Sequence, residues 1–147
     1  MHSVRIYEMP DCKMVSSETG MFGDGKLESF ENWVSRQKPS LFPKNFLFFD
    51  GSGFRWIYLY EEGMDIPKAF DIIDFQGGLY TVATDIDQKT DMEALKREID
   101  VFLEENRFER DCFRQELGNV ITSSTAHKIM GYDQMDYYSP IKAKSLI

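Results

Sequence analysis

The feature that most constrains the fold of this chain is an internal duplication. The order strand, break, strand, helix, strand, strand occurs twice, with the copies offset by about 66 positions. Residues 4–8 align with residues 70–74, and the break at residues 9–10 aligns with the break at residues 75–76. Proline or glycine interrupts the strand pattern at both breaks, which is typical of a bulge or kink.

The duplication predicts a single α+β domain over residues 1–147, built from two βαββ repeats. The repeats are expected at about 1–62 and about 66–147. We expect pseudo-two-fold symmetry, antiparallel sheets, helices on one side of the sheets and a central ligand cleft where the halves meet.

Local patterns place the individual elements. Apolar residues at three-to-four spacing predict helices at residues 26–37 and 90–106. Thr90 and Glu93 form a capping-box pattern at the start of the second helix. A short helix at residues 124–130, ended by Gly131, is expected before the last strand. The predicted strands are residues 4–8, 12–17, 46–50, 54–60, 69–75, 79–84 and 135–141.

The strand at residues 54–60 is unusually aromatic. Because side chains alternate along a strand, one face carries four aromatic rings and the other carries one arginine and two aliphatic residues. We expect the aliphatic face to pack against helices and the aromatic face to form a half-solvated wall, although two packed faces are the alternative. The aromatic face consists of Phe54, Trp56, Tyr58 and Tyr60, and the opposite face of Arg55, Ile57 and Leu59.

Composition excludes several classes of function. A net charge of −8 disfavours nucleic-acid binding, which needs clustered Lys and Arg. No apolar run approaches the length of a membrane span, and two distant cysteines, Cys12 and Cys112, fit a reducing cytoplasm. Ligand-spaced His and Cys, a P-loop, a dinucleotide fingerprint and a nucleophile motif are all missing, so we expect no metal, no cofactor and no readable catalytic residues.

Three segments resemble one known family. Residues 4–10, which read Val-Arg-Ile-Tyr-Glu-Met-Pro, are similar to its opening strand. Residues 76–82, Gln-Gly-Gly-Leu-Tyr-Thr-Val, resemble its Gly-Gly-x-Tyr segment, and residues 136–141, Asp-Tyr-Tyr-Ser-Pro-Ile, resemble its closing strand. The chain therefore resembles, over nearly its whole length, a GyrI-like small-molecule-binding domain of the SOUL/GyrI superfamily. This domain is the effector-binding module of AraC- and MerR-type multidrug-responsive bacterial regulators.

The resemblance implies an aromatic cleft with a buried carboxylate that attracts lipophilic cations. Asp136 stands at the matching acidic position, where the family more often has glutamate. Those regulators carry a DNA-binding domain ahead of the module, whereas this chain starts at the module's first strand, so we expect no direct DNA binding. The residues expected to contact ligand are Trp56, Tyr58, Tyr60, Tyr80, Asp136, Tyr138 and Phe48.

The leading hypothesis is a stand-alone protein that binds small hydrophobic, cationic molecules and has a link to transcription regulation. The first alternative is a hydrolase that opens strained cyclopropane rings, as some family members do, with a cleft carboxylate positioning water. The second is a protein-binding modulator of a topoisomerase, implied by the family alone, with no partner identified. We expect binding rather than catalysis.

Overall fold

The computed structural model describes residues 3–145. Residues 1, 2, 146 and 147 of the expected domain lie outside the described part. The strands are β1 (Arg5–Met9), β2 (Cys12–Ser16), β3 (Asn45–Phe49), β4 (Phe54–Leu59), β5 (Asp71–Phe75), β6 (Gly78–Ile86), β7 (Phe108–Arg110), β8 (Leu117–Val120) and β9 (Gln134–Ala143). The helices are α1 (Lys26–Ser35), α2 (Met92–Asn106) and α3 (Ser124–Met130).

The chain divides into two compact units. The α1 unit is Pro10–Gly77, and the α2 unit combines residues up to Met9 with those from Gly78 onward. The unit boundaries differ from the expected repeat boundaries, because the α1 unit contains β5, which opens the second repeat, and the α2 unit contains β1, which opens the first. The division into two repeats stays a prediction. Strand β1 pairs with β6 in the α2 unit, and β5 pairs with β2 in the α1 unit.

The α1 unit contains an antiparallel sheet in the order β3-β4-β2-β5, with α1 packed on one face. The helix begins where the Glu28 carboxylate accepts the backbone N–H groups of Gly25, at 2.8 Å, and Gly23, at 3.1 Å. Its buried stripe is Leu27, Phe30 and Trp33, as the three-to-four spacing predicts. The core formed around this stripe contains Val15, Phe30, Trp33, Tyr58 and Phe70.

The packing of β4 corrects one expectation from the sequence. Tyr58 lies in the core against α1, and Trp56 and Tyr60 pack on that core. The aromatic face of the strand therefore contacts the helix, and the Ile57 face lies on the opposite side of the sheet. The expected assignment of the two faces was reversed.

The α2 unit contains a second antiparallel sheet, in the order β1-β6-β9-β8, and β7 also pairs with β9. Leu95, Ile99 and Leu103 of α2 pack on Ala83 and Ile141 of this sheet. The helix start differs from the expected capping box. Its N-cap is Asp91, whose carboxylate accepts the N–H of Ala94 at 3.1 Å. The neighbouring Thr90 hydroxyl instead donates to the carbonyl of Ile86 at 2.9 Å.

The expected α+β class with antiparallel sheets is confirmed. The short helix lies at Ser124–Met130 and ends at Gly131 in the left-handed conformation, as predicted. Strands β7 and β8 were not predicted. Within residues 3–145, none of the helices combines the length and apolar character needed to span a membrane.

Candidate functional site: a buried carboxylate on the sheet of the α2 unit

The register of the α2 unit determines which side chains share the sheet face opposite helix α2. Ala83 and Ile141 pack on α2, so their neighbours along the strands point to the other face. Three cross-strand rows lie on that face, which we call the Asp136 face. The rows are Tyr7–Tyr80–Pro140, Arg5–Val82–Tyr138–Leu117 and Thr84–Asp136–Asn119.

Asp136 is the central charged group of this face. It is only 6% exposed, and buried carboxylates are uncommon unless they are paired or hydrogen-bonded. The Thr84 hydroxyl donates a hydrogen bond to Asp136 Oδ1, and Arg5 Nη2 lies 3.4 Å from Oδ2. The Arg5 side chain is 59% exposed, so the buried anion is balanced by a cation that solvent can reach.

Tyr138 lies one cross-strand row from Asp136 on this face and contacts two further tyrosine rings. The rings of Tyr80 and Tyr138 are buried and meet edge to face, with centroids 6.2 Å apart. Tyr7, which is partly exposed, meets Tyr138 in the same way at 6.3 Å. Burial, and then the negative charge of Asp136, raises the pKa of Tyr138 to about 12. The Tyr138 phenol therefore stays protonated at neutral pH and can donate a hydrogen bond.

Arg114 connects strands β6 and β9, and its guanidinium lies over the Tyr80 ring. Its Nη2 donates to the carbonyls of Leu79 and Ile141, both at 2.8 Å, and its Nε donates to Asp111 Oδ2 at 2.9 Å. This hydrogen bond from Arg114 is the main reason why the pKa of Asp111 lies below its ordinary value. A side chain at Gly78 would place Cβ 2.7 Å from Arg114 Nη1, which explains the glycine in this strand.

Three of the seven predicted ligand residues come together on the Asp136 face. They are Tyr80, Asp136 and Tyr138. Sequence reasoning missed Arg5, Tyr7, Thr84 and Arg114 as their neighbours. Strand alternation in residues 5–9 was the available signal for Arg5 and Tyr7, since both lie on one face of β1.

The other four predicted ligand residues belong to the α1 unit. Trp56 donates from Nε1 to Asn45 Oδ1 at 3.1 Å, and its ring lies 6.4 Å from Phe30. Tyr58 is buried edge to face against Trp33, with centroids 5.6 Å apart, and Tyr60 packs on the same core. Phe48 lies on the opposite sheet face, directly across from Arg55. A ligand role for Trp56, Tyr58, Tyr60 and Phe48 stays a prediction.

Among residues 3–145, no group of three His, Cys, Asp or Glu side chains is arranged to hold a metal ion. The two cysteines are free thiols, and burial raises the pKa of Cys12.

Solved structures of similar fold exist for this chain. Neither a family model nor a curated protein matches this sequence. The C-terminal domain of EcmrR superposes with a TM-score of 0.64 at 8% identity, covering 97% of this chain and 99% of that domain. The chain has the GyrI-like fold. In an EcmrR–DNA complex the TM-score is 0.65 at 9% identity over 98% of this chain, which spans only 58% of the EcmrR chain.

Two further structures of similar fold are a hydrolase and a protein with a bound ligand. A hydrolase from Listeria innocua matches with a TM-score of 0.65 at 10% identity, covering 95% of this chain and 91% of that one. SAV2435, solved with bound tetraphenylphosphonium, matches with a TM-score of 0.51 at 10% identity, covering 95% and 94%. At this level of identity the likeness shows a common fold.

Proposed function

We propose that this GyrI-like chain binds small aromatic cations on the Asp136 face. The observation that carries the proposal is a carboxylate, 6% exposed, in the row next to the buried Tyr138 ring on the sheet face opposite α2, with the buried Tyr80 ring packed edge to face on Tyr138. A lipophilic cation matches both features, because its charge pairs with the carboxylate and its apolar surface packs on the rings.

The energies involved are sufficient for useful affinity. A desolvated cation over an aromatic ring gains about 0.5–2 kcal/mol, and a charged hydrogen bond or ion pair adds about 1.5–3 kcal/mol. Burial of apolar ligand surface adds about 25 cal/mol per Å². After the cost of association, a handful of such contacts gives dissociation constants on the order of micromolar, about −8 kcal/mol.

Arg5 gives the site a resident cation that a ligand can replace. Its guanidinium lies 3.4 Å from Asp136, longer than the usual charged hydrogen bond, and its side chain is largely solvated. Displacing it costs little because solvent already surrounds most of the side chain. A bound cation then takes over the pairing with Asp136.

One structure of the same fold supports the ligand class: SAV2435 was solved with tetraphenylphosphonium, an aromatic cation. A second structure, of EcmrR bound to DNA, contains a domain of this fold within a DNA-binding protein. A link to transcription regulation follows only by analogy with that second protein. The hydrolase from Listeria innocua keeps catalysis as the alternative, with Asp136 positioning water beside the protonated Tyr138 phenol.

The test is a calorimetric titration with tetraphenylphosphonium and with neutral triphenylphosphine oxide. Asp136→Asn keeps the shape of the side chain and removes its charge. We expect this substitution to weaken the affinity for tetraphenylphosphonium by about 10- to 100-fold. The affinity for triphenylphosphine oxide should change by less than about 2-fold. Asp100→Asn is the matched control, because Asp100 is an exposed carboxylate on α2 paired with Arg110.

The outcomes separate three interpretations. Equal losses for the two ligands would indicate a folding defect and remove the charge of Asp136 from the explanation. Unchanged affinity for tetraphenylphosphonium in Asp136→Asn would contradict the proposal. Product formation from a cyclopropane-bearing electrophile, lost in Asp136→Asn with binding retained, would replace binding by hydrolysis.

A further inference from the structure

The two units repeat the same strand register, and charged residues at equivalent positions have opposite sign. Order β3-β4-β2-β5 in the α1 unit corresponds to order β8-β9-β6-β1 in the α2 unit. The equivalent cross-strand rows are Asp71–Ser16–Ile57–Phe46 in the α1 unit and Arg5–Val82–Tyr138–Leu117 in the α2 unit.

The next row places Arg55 at the position equivalent to Asp136. Asp136 lies two residues before Tyr138 on β9, and Arg55 lies two residues before Ile57 on β4. The acidic and basic members of the pair are exchanged, since Arg5 faces Asp136 in the α2 unit and Asp71 faces Arg55 in the α1 unit. The less exposed member of each pair therefore has opposite sign in the two units, Asp136 in the α2 unit and Arg55 in the α1 unit.

Arg55 is poorly satisfied by the described part of the chain. Its Nε is buried and has no hydrogen-bond partner there. Its Nη2 lies 3.9 Å from Asp71 Oδ2, which is beyond hydrogen-bonding distance, and the Asp71 side chain is 71% exposed. A buried charged donor without a partner is unfavourable, so a ligand oxygen at this place would be stabilised.

The geometry of the guanidinium indicates what kind of oxygen group fits. Nε and Nη2 lie on the same edge of the guanidinium, and this edge binds a carboxylate through two parallel hydrogen bonds. Phe48 lies directly across from Arg55 on β3, and Phe46 and Ile57 form the adjacent cross-strand pair on the same face. The Arg55 side chain as a whole is 25% exposed whereas Nε is buried, so a ligand oxygen reaches this edge when the guanidinium turns outward.

We propose that the Arg55 face, formed by Arg55 and the half-buried Phe48 next to the buried pair Phe46 and Ile57, binds aromatic anions such as aryl carboxylates. The carboxylate takes the Nε and Nη2 edge of Arg55, and the ring packs on Phe48. This proposal does not depend on cation binding at Asp136. The protein then has two subsites of opposite charge preference, produced by exchanging charges between duplicated positions.

The experiment measures binding of 2-naphthoate and of neutral 2-naphthamide to the full chain by calorimetry. We expect the wild-type protein to prefer 2-naphthoate by about 10-fold or more, the scale of one charged contact. Arg55→Gln should abolish this preference. Arg55→Lys should retain part of it, because lysine keeps the charge and loses the two-donor edge. Asp71→Asn should strengthen 2-naphthoate a few-fold by removing the competing carboxylate.

Two controls separate this proposal from the cation site and from misfolding. Arg110→Gln removes a guanidinium that is paired with Asp100 at 2.9 Å and should leave 2-naphthoate binding unchanged. Tetraphenylphosphonium is titrated into the same variants, so loss of cation binding alone bears on Asp136 and not on Arg55. Equal wild-type affinity for 2-naphthoate and 2-naphthamide, or a preference that survives in Arg55→Gln, overturns the proposal. The wild-type comparison decides the matter even where Arg55→Gln fails to fold.

Discussion

The guanidinium of Arg114 lies over the ring of Tyr80, with 4.7 Å between Cζ and the ring centroid. The Arg114 side chain is only 6% exposed, and its hydrogen bonds reach the carbonyl groups of two adjacent strands, β6 and β9. The Tyr80 ring on the Asp136 face therefore contacts both the Arg114 guanidinium and the Tyr138 ring.

Replacing Arg114 should cost stability. Arg114→Met keeps much of the side-chain volume and leaves the carbonyls of Leu79 and Ile141 without this donor. We expect a loss of about 2–3 kcal/mol in the free energy of unfolding, measured with urea. Arg110→Met, which removes an exposed ion pair with Asp100, should cost less than about 1 kcal/mol. Similar losses in the two variants would show that the buried contacts of Arg114 contribute little.

The sequence predicted the positions of helices better than it predicted which face of a strand packs on a helix. Helical periodicity identified α1 and α2 because each has one apolar stripe, and that pattern is local. The two-residue period of β4 separated its aromatic face from its Ile57 face, but both faces are apolar enough to be packed. Which face meets the helix depends on the neighbouring strands, so the assignment was reversed.

Short strands, and contacts between residues far apart in the sequence, could not be predicted from local sequence patterns. Strand β8 reads Leu-Gly-Asn-Val, and glycine and asparagine are poor strand formers, so its pairing with β9 decides its conformation. The Asp136 prediction came from a resemblance to a closing strand. Its pairing with Arg5 joins residues 131 positions apart and depends on two strand registers that no local window contains.

Removing the resident cation should strengthen cation binding. In Arg5→Ala the Asp136 carboxylate loses a guanidinium at 3.4 Å and becomes more available to a ligand. We expect tetraphenylphosphonium affinity to rise by about 3- to 10-fold, equivalent to about 0.7–1.4 kcal/mol. The measurement is calorimetry at low salt, where surface charge effects are largest.

Lys13→Ala is the control for the general charge effect on cation binding. Lys13 pairs with the exposed Asp74 in the α1 unit, so its removal changes net charge equally without touching Asp136. A similar rise in both variants would assign the effect to net charge. A fall in affinity in Arg5→Ala would mean that Arg5 helps to form the site and does not compete for it.

The role of Asp91 as the N-cap of α2 can be tested by substitution. Asp91→Ala removes the carboxylate that accepts the Ala94 N–H, and we expect the free energy of unfolding to fall by about 1 kcal/mol. Glu93→Ala should change it by less than about 0.5 kcal/mol, because an exposed side chain in the first turn contributes little beyond the helix dipole. A larger loss in Glu93→Ala than in Asp91→Ala would restore the capping box expected from the sequence.

Alkaline pH should destabilise the fold through Tyr138. Burial raises its pKa from an ordinary 10.0 to about 12 in the folded state, so the unfolded chain loses the phenol proton first. The stabilising contribution is therefore complete below about pH 10 and is lost as the pH rises towards 12. We expect the free energy of unfolding, measured with urea between pH 9 and about 12, to fall less steeply in Tyr138→Phe than in the wild-type protein. Tyr132→Phe, at a position that is 39% exposed, should keep the wild-type slope, and equal slopes in all three proteins would contradict a buried neutral phenol at Tyr138.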